Sequence, residues 1–262
     1  SGAAPISTDF FTVGQIVEGF NCSDFQWGTA NAISVTIGFW VRSSVTGTYS
    51  ASLYNANAGS NTYPATFTVN AANTFEYKAI TIPGATAGTW ATSNLGSIYL
   101  RVDLGSGSSF NGAANAWNTT GGFRTSGSVN FMANTGATFY ITGVQLEPGS
   151  VATPFERRSY GQELALCQRY YEKSYNIDVA PGTATVVGRI GAQNMFSGSF
   201  DTHHFIQFAV TKRATPTIST WDTSGNSGYL NVDNPGAHRA LIWKNVTSAT
   251  TWFGYWAASA EL

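Results

Sequence analysis

The stretch ISVTIGFWVR, residues 33–42, decides the fold class, because apolar and polar side chains alternate along it. The apolar positions are Ile33, Val35, Ile37, Phe39 and Val41. Trp40 lies among the polar positions, on the opposite face. Successive side chains of an extended chain point to opposite faces, so this alternation is typical of a β-strand with one buried face. The stretch therefore predicts a strand that packs one side against a core.

The same alternation recurs along the first 150 residues, separated by clusters of Gly, Asn, Ser and Thr that predict loops. The predicted strands are 33–42, 48–54, 65–70, 75–82, 97–104, 129–133 and 137–146. In the last of these strands the alternation slips at Gly143, and a β-bulge there would restore the register. Many short strands at this spacing predict an all-β jelly roll or another β-sandwich over residues 1–150.

A change of composition follows, since nine of the 27 charged residues lie between residues 147 and 178. Ser159 followed by Gln162 fits a capping box, which marks the start of a helix. An apolar stripe at helical spacing comes next, made of Tyr160, Leu164, Cys167 and Tyr171. We therefore predict one short helix, at about 160–173, within a junction that spans residues 151–175.

Residues 176–262 return to β patterning and predict a smaller C-terminal β domain. The strand candidates are 183–190, 204–210, 240–246 and 250–257. In the last candidate Trp252 and Trp256 point one way, and Phe253 and Tyr255 point the other way. A strand that is apolar on both faces has to be covered on both faces. Because so few residues remain to cover it, we expect a neighbouring subunit to do so.

Composition excludes several classes of partner. Charged residues make up only 10% of the chain and the net charge is −1, so nothing favours electrostatic capture of nucleic acid. No apolar run approaches the roughly 20 residues that a bilayer span needs, so we expect no membrane insertion. Aromatic residues reach 14% and Gly numbers 28, a composition that suits β-sheet and weakens helix.

The residues that could bind metal do not form a recognisable motif. The adjacent His203 and His204 would point to opposite faces of a strand, so they cannot chelate one ion together. Sandwiches of this type often hold a structural Ca²⁺, for which Asp9, Glu18 and Asp24 are possible ligands without a signature spacing. We predict no metal site and no cofactor, and this leaves a structural Ca²⁺ open. The two cysteines are expected to be unpaired thiols.

The sequence gives little support for catalysis. Glycoside hydrolysis needs two carboxylates about 5–10 Å apart, one of them with a raised pKa. The acidic residues in predicted strands, Glu76 and Asp103, have the basic residues Lys78 and Arg101 on the same face, which predicts exposed cross-strand charge. No repeat of 20–50 residues is present to build a β-helix. We therefore expect no catalytic residues and no enzymatic activity.

A long motif in the junction resembles a known family. The segment ITGVQLEPGSVATPFERRSYGQELALCQRYYEK, residues 141–173, resembles a junction found in many tail-fibre and virion-appendage proteins of phages and prophages. In that family the junction closes a sandwich that resembles carbohydrate-binding modules and leads into a C-terminal domain. GFWVRSSVTGTY (38–49) and TFEYKAITIPG (74–84) resemble sandwich strands of the same family. The resemblance covers residues 15–175 and ends there.

The resemblance implies a homotrimeric virion component, a tail fibre or another appendage, that contacts other virion proteins. It also implies action outside the cell, by attachment to the host surface and often to a bacterial surface glycan. Two alternatives stay open. One is a purely structural head or tail decoration protein, and the other is a carbohydrate-binding module of a secreted polysaccharide-degrading enzyme.

Four residues are candidates for ligand binding, because sugar rings bind to aromatic faces that are flanked by hydrogen-bonding groups. Trp221, Tyr229 and Asn231 fall in a loop at 221–234 that is rich in Gly, Asn, Asp and Ser. This loop lies in the C-terminal domain, which in the family differs from one phage to another, and is therefore the first candidate for the receptor-binding tip. Trp40, on the polar face of its strand, is the second candidate. The alternative is that these aromatic residues fill cores and subunit contacts.

Overall fold

The structure is a computed structural model that describes residues 5–195, 198–246 and 250–261. Within these ranges the chain forms fourteen β-strands and one α-helix. The chain divides into two compact units, the first ending at Arg157 and the second comprising Arg158–Glu261. The all-β prediction is confirmed.

In its described part, the first unit is a sandwich of two antiparallel sheets. Its strands are β1 (Thr12–Glu18), β2 (Val35–Ser43), β3 (Gly47–Asn55), β4 (Thr62–Val69), β5 (Glu76–Ile82), β6 (Gly96–Asp103) and β7 (Phe139–Pro148). One sheet has the order β1-β6-β3-β4 and the other has the order β5-β2-β7. Their apolar faces meet in one core, to which the alternating residues of β2 contribute Val35, Ile37, Phe39 and Val41.

The predicted bulge in β7 is present at Gly143. Gly38 of β2 pairs with Gln145, whereas Trp40 pairs with Thr142, so β7 has one extra residue between the two pairs. Gly143 has a φ of 59°, in the left-handed region that favours glycine. The bulge therefore brings the two halves of β7 into register with the same face of β2.

Two details of the first unit differ from the sequence prediction. Residues 129–133 form no strand, and Phe131–Ala133 form a 3₁₀ turn instead. Phe131 is buried and the N–H of Val129 donates to the carbonyl of Thr48, so these residues serve the core without joining a sheet. β1 was not predicted, because its sequence, TVGQIVE, does not alternate regularly between apolar and polar residues.

The outer face of β6 is buried, which corrects the prediction of exposed cross-strand charge. Arg101 is 6% exposed and Asp103 is 1% exposed. The guanidinium of Arg101 lies over four rings, those of Phe10, Tyr54, Tyr99 and Phe123. Asp103 accepts a hydrogen bond of 3.3 Å from Arg124 Nε. The N-terminal segment and the loop after β6 supply this cover, and strand periodicity cannot show that a third layer exists.

The described part of the second unit contains two further antiparallel sheets. Its strands are β8 (Tyr171–Lys173), β9 (Ile190–Gln193), β10 (Phe200–Gln207), β11 (Thr217–Trp221), β12 (Asn231–Asp233), β13 (Arg239–Val246) and β14 (Thr251–Ser259). One sheet has the order β10-β13-β12, and the other has the order β11-β14-β8, with β9 also paired to β14. A second core contains Ile206, Phe208, Leu230, Ala240, Ile242, Val246, Trp252, Trp256 and Ala258. The predicted smaller C-terminal β domain is confirmed.

The helix α1 (Tyr160–Gln168) begins where the sequence predicted and ends earlier. The N–H of Gln162 donates to Ser159 Oγ at 3.4 Å, so Ser159 caps the first turn. Instead of continuing the helix to 173, the chain forms β8, which pairs with Ala257–Ser259 of β14. Cys167 is exposed, contrary to the expected packing of the apolar stripe. Within the described ranges no helix is both long and apolar enough to cross a membrane.

The two faces of β14 are covered within the chain to a greater extent than predicted. Trp252 and Trp256 lie in the core between the sheets. On the opposite face the Tyr255 ring stacks on Tyr175 at 4.1 Å, and its hydroxyl donates to the carbonyl of Thr185. The predicted strand 183–190 is wrong except at Ile190, where β9 begins, because the residues before β9 form an irregular cover over Tyr255. This face of β14 therefore needs no neighbouring subunit at Tyr255.

Candidate functional site

The outer face of the β5-β2-β7 sheet carries a concentration of exposed aromatic residues, which we call the aromatic surface. Its members are Trp40, Phe75, Tyr77, Tyr140 and Phe155. Each of them is between 44% and 50% exposed. Single exposed apolar residues are common, but adjacent ones form a patch of the kind that marks binding sites. The aromatic surface is therefore the first region to consider for function.

The register of the sheet aligns these side chains. Trp40 pairs with Tyr77 on one side and with Thr142 on the other, and residues directly opposite each other share a face. The rings of Trp40 and Tyr77 are 5.5 Å apart, with 55° between their planes. Two residues further along β2, Arg42 pairs with Tyr140.

Two glycines form the floor beneath the aromatic rings. A Cβ on Gly38 would lie 2.5 Å from the hydroxyl oxygen of Tyr77, so the Tyr77 side chain crosses the backbone at this glycine. A Cβ on Gly143 would lie 3.5 Å from Trp40 and 3.9 Å from Phe155. The bulge of β7 therefore also provides the space between Trp40 and Phe155.

Residues 152–156, which follow β7, are held back against this face by hydrogen bonds. The Glu147 carboxylate accepts from the N–H of Thr153 at 2.8 Å and from its hydroxyl at 2.5 Å. Gln145 Nε2 donates to Thr153 Oγ1, and Gln145 Oε1 accepts from the N–H of Glu156. Burial acts to raise the pKa of Glu147, but the bonds from Thr153 and Gln145 outweigh it and lower that pKa.

A cleft of about 350 Å³ results between the sheet and residues 152–156. Its lining combines the rings of Trp40, Tyr77 and Phe155 with the side chains of Gln145 and Thr153. Rings offer flat apolar faces, while the amide and the hydroxyl offer donors and acceptors. This is the combination that a sugar ring requires, since one side of the ring is apolar C–H and its rim is hydroxyl.

A second cleft, of about 340 Å³, lies beside Cys22 at the end of the same sandwich. Trp27 and Trp90 in its wall pack edge to face with each other at 4.8 Å and with Trp117. Each of the three indole N–H groups donates to a backbone carbonyl. Because Trp27 and Trp90 are buried and their N–H groups are satisfied within the protein, we assign them to the core.

Trp221 and Tyr229, predicted to share one loop site, lie on opposite faces of β14. Trp221 ends β11, pairs with Tyr255 and packs edge to face with Tyr175 at 6.0 Å. Tyr229 lies on the other side, where a Cβ on Gly254 would be 3.3 Å from its ring. Both aromatic residues are half-buried.

The remainder of that predicted loop is largely ordered by its own hydrogen bonds. The Asp222 carboxylate accepts from the side-chain amide and the N–H of Asn226 and from the N–H of Ser224, and these bonds lower its pKa. Asn231 is exposed but starts β12, where it pairs with Trp243. The described residues between Trp221 and Asn231 therefore form a compact turn without a platform of converging aromatic rings.

The candidate metal ligands do not come together. His203 faces Trp243, with ring centroids 6.2 Å apart, and His204 faces Trp252 at 6.4 Å. Asp9 accepts from the N–H of Ile6. Among the residues that the structure describes, no three His, Cys, Asp or Glu side chains are grouped closely enough to hold an ion.

Trp40 was predicted from the sequence, whereas the other members of the aromatic surface were not. Tyr77 carries a signal that could have been used, because it alternates with the inward-facing Ile80 and Ile82 of β5 and so lies on the outer face. Phe155 carries none, since it lies in a segment without strand periodicity. Hydrogen bonds of Gln145 and Glu147 bring that segment to the sheet.

No protein-family model matches the sequence, and no curated protein matches it. Among solved structures, the chain is similar to discoidin II from Dictyostelium discoideum, with 11% identity and a TM-score of 0.22 over 88% of this chain and 72% of that one. It is also similar to the exported protein XepA of PBSX, with 12% identity and a TM-score of 0.21 over 99% of this chain and 84% of that one. At these scores neither likeness carries an argument about fold or function.

Proposed function

We propose that this chain is a phage tail-fibre or other virion-appendage protein that attaches to the host cell by binding a surface glycan on the aromatic surface. The observation that carries the proposal is the exposed Trp40–Tyr77 pair, which shares one cleft with Phe155, Gln145 and Thr153. The resemblance of residues 141–173 to the junction of such appendage proteins supports the assignment to a virion.

The chemistry of the cleft favours a carbohydrate over a protein ligand. Its aromatic faces stand beside the neutral polar groups of Gln145 and Thr153, which can exchange hydrogen bonds with hydroxyls. Residues 152–156 are tied down at both ends by hydrogen bonds, so the walls of the cleft are largely formed before the ligand arrives. A preformed site loses less conformational entropy on binding.

We also propose that the chain acts as a homotrimer, on the virion and together with other virion proteins. The resemblance supports this, as does the exposure of Tyr160, Tyr171 and Ile177 around α1 and β8. Three copies would raise weak single-site affinity by avidity. Light scattering of the purified chain at micromolar concentration should give three chain masses, and a monomer would rule the trimer out.

The double variant Trp40→Ala/Tyr77→Ala tests the glycan site. Binding of the labelled chain to a panel of bacterial cells and purified surface polysaccharides should fall at least tenfold. Both residues are nearly half exposed, so the melting temperature should change by only a few degrees. Phe20→Ala, at a residue of the same unit that is 60% exposed, is the matched control and should bind normally.

The result also separates the proposal from its alternatives. If the double variant binds cells as the wild type does, while Trp221→Ala/Tyr229→Ala abolishes binding, the receptor site lies in the C-terminal unit. If the wild type binds no cell and no polysaccharide, the chain is a structural decoration protein. If it binds isolated polysaccharide but no intact cell, the module of a polysaccharide-degrading enzyme becomes the better description.

A further inference from the structure

We propose that the glycan bound on the aromatic surface is acidic, and that Arg42 pairs with its negatively charged group. The inference rests on the proposed function and specifies its ligand. Arg42 lies on β2, on the same face as Trp40, and is therefore next to the Trp40–Tyr77 pair. The charged group is the carboxylate of a sugar acid or the phosphate of a phosphorylated sugar.

The first observation is that the Arg42 guanidinium lies against two aromatic rings. Its carbon atom lies 5.4 Å from the centroid of the Tyr140 ring and 6.0 Å from that of Phe75. Both rings are exposed, while Arg42 itself is half-buried. Flanking rings orient a planar guanidinium and attract it by cation–π contact. The paired N–H donors of the guanidinium can then bind a ligand without a rearrangement of the Arg42 side chain.

The second observation is that this guanidinium has no counter-charge. Among the residues that the structure describes, no carboxylate lies within ion-pair distance of Arg42, and its Nε is buried without a hydrogen-bond partner. The acid nearest to Arg42 in the register of the sheet, Glu76, pairs with the neighbouring Val41 and already forms an ion pair with Lys78. A partly desolvated cation without a partner is unfavourable, and a bound anion would supply the missing partner.

The third observation is spacing. Arg42 and Trp40 are two residues apart on one strand, which places their Cα atoms about 7 Å apart. A sugar that stacks on Trp40 therefore brings the next unit of the chain, or its own acidic substituent, within reach of Arg42. The aromatic surface thus combines a stacking platform with one cation at its edge.

The test compares three probes on the full chain: polygalacturonate as the carboxylated polymer, phosphomannan as the phosphorylated polymer, and dextran as the neutral polymer. We expect the wild type to bind at least one acidic polymer tenfold or more tightly than dextran, and this preference to weaken as salt is raised. Which of the two acidic polymers is bound distinguishes carboxylate from phosphate. Equal binding of all three polymers would overturn the inference.

Arg42→Gln should remove the preference for acidic polymer, while Arg42→Lys should keep part of it, since it retains the charge but loses the bidentate fork. If Arg42→Gln fails to fold, the salt dependence of the Arg42→Lys variant against the wild type still decides the question. If Arg42→Gln keeps the full preference, the inference is wrong. Should Trp40→Ala/Tyr77→Ala lose cell binding while Arg42→Gln does not, the glycan site stands and only its acidic specificity fails.

Discussion

Substituting Gly38 tests the aromatic surface without removing any aromatic residue. A Cβ at this position would lie 2.5 Å from the Tyr77 hydroxyl, below any distance that two such atoms can adopt. The hydroxyl is the far end of a side chain, so the ring can swing away while the backbone keeps its place. Gly38→Ala should therefore lift Tyr77 from the floor of the cleft and disturb its packing on Trp40.

For Gly38→Ala, the expected loss of glycan affinity follows from the displaced Tyr77 ring, and the expected stability follows from the unchanged backbone. An aromatic contact contributes about 0.5–1.5 kcal/mol beyond its buried area, so losing the contact between the Tyr77 ring and the bound sugar should weaken glycan binding roughly 2- to 13-fold. The fold should not suffer, because Gly38 is on a strand without positive φ, where alanine restricts the unfolded chain more than glycine does. The free energy of unfolding should thus stay within about 1 kcal/mol of the wild type.

Isothermal titration with the polysaccharide that the wild type binds gives the affinity, and urea unfolding gives the stability. Gly127→Ala is the matched control, because a Cβ on Gly127 meets no atom within 4 Å. The control should leave both quantities unchanged. If Gly38→Ala binds as tightly as the wild type, the position of the Tyr77 ring does not matter, and the cleft as described here is not the binding site.

Three further predictions concern stability and the thiols. Asp103→Ala should lower the free energy of unfolding by about 3 kcal/mol in urea, because it leaves the buried Arg124 unpaired; a loss below 1 kcal/mol would contradict the buried pair. Hydrogen bonds from Lys78, Ala71 and Asn70 hold the pKa of Glu76 at about 2. The stability that this carboxylate contributes is present above pH 4.5 and lost as the pH falls towards 2, so Glu76→Gln should flatten the pH dependence of unfolding in that window. Cys22 is buried, and burial raises the pKa of its thiol, so Cys22 should react with Ellman's reagent only after unfolding. The unfolded chain should then show two reactive thiols, those of Cys22 and Cys167.

Much of the fold follows from local patterns. The alternation in β2 predicted which of its residues enter the core, and the slip at Gly143 predicted the bulge, because both depend on the period of an extended chain. The start of α1 was predictable because Ser159 caps it by contact with a residue three positions away. The end of α1 was not predictable from its apolar stripe, since β8 forms by pairing with β14, more than 80 residues later in the chain.

The sequence by itself therefore determined that the protein is built from β-strands, which faces of many strands are apolar, and that Trp40 lies outside the first core. Tertiary structure decided what covers the other faces. It buried Arg101 under rings from distant segments, and it placed Trp221 and Tyr229 on opposite sides of β14 although one turn joins them. It also brought Tyr77 and Phe155 to Trp40. The reason is physical: strand period specifies only the side to which a residue points, whereas a binding surface needs several segments to meet, and their meeting depends on long-range pairing and hydrogen bonds.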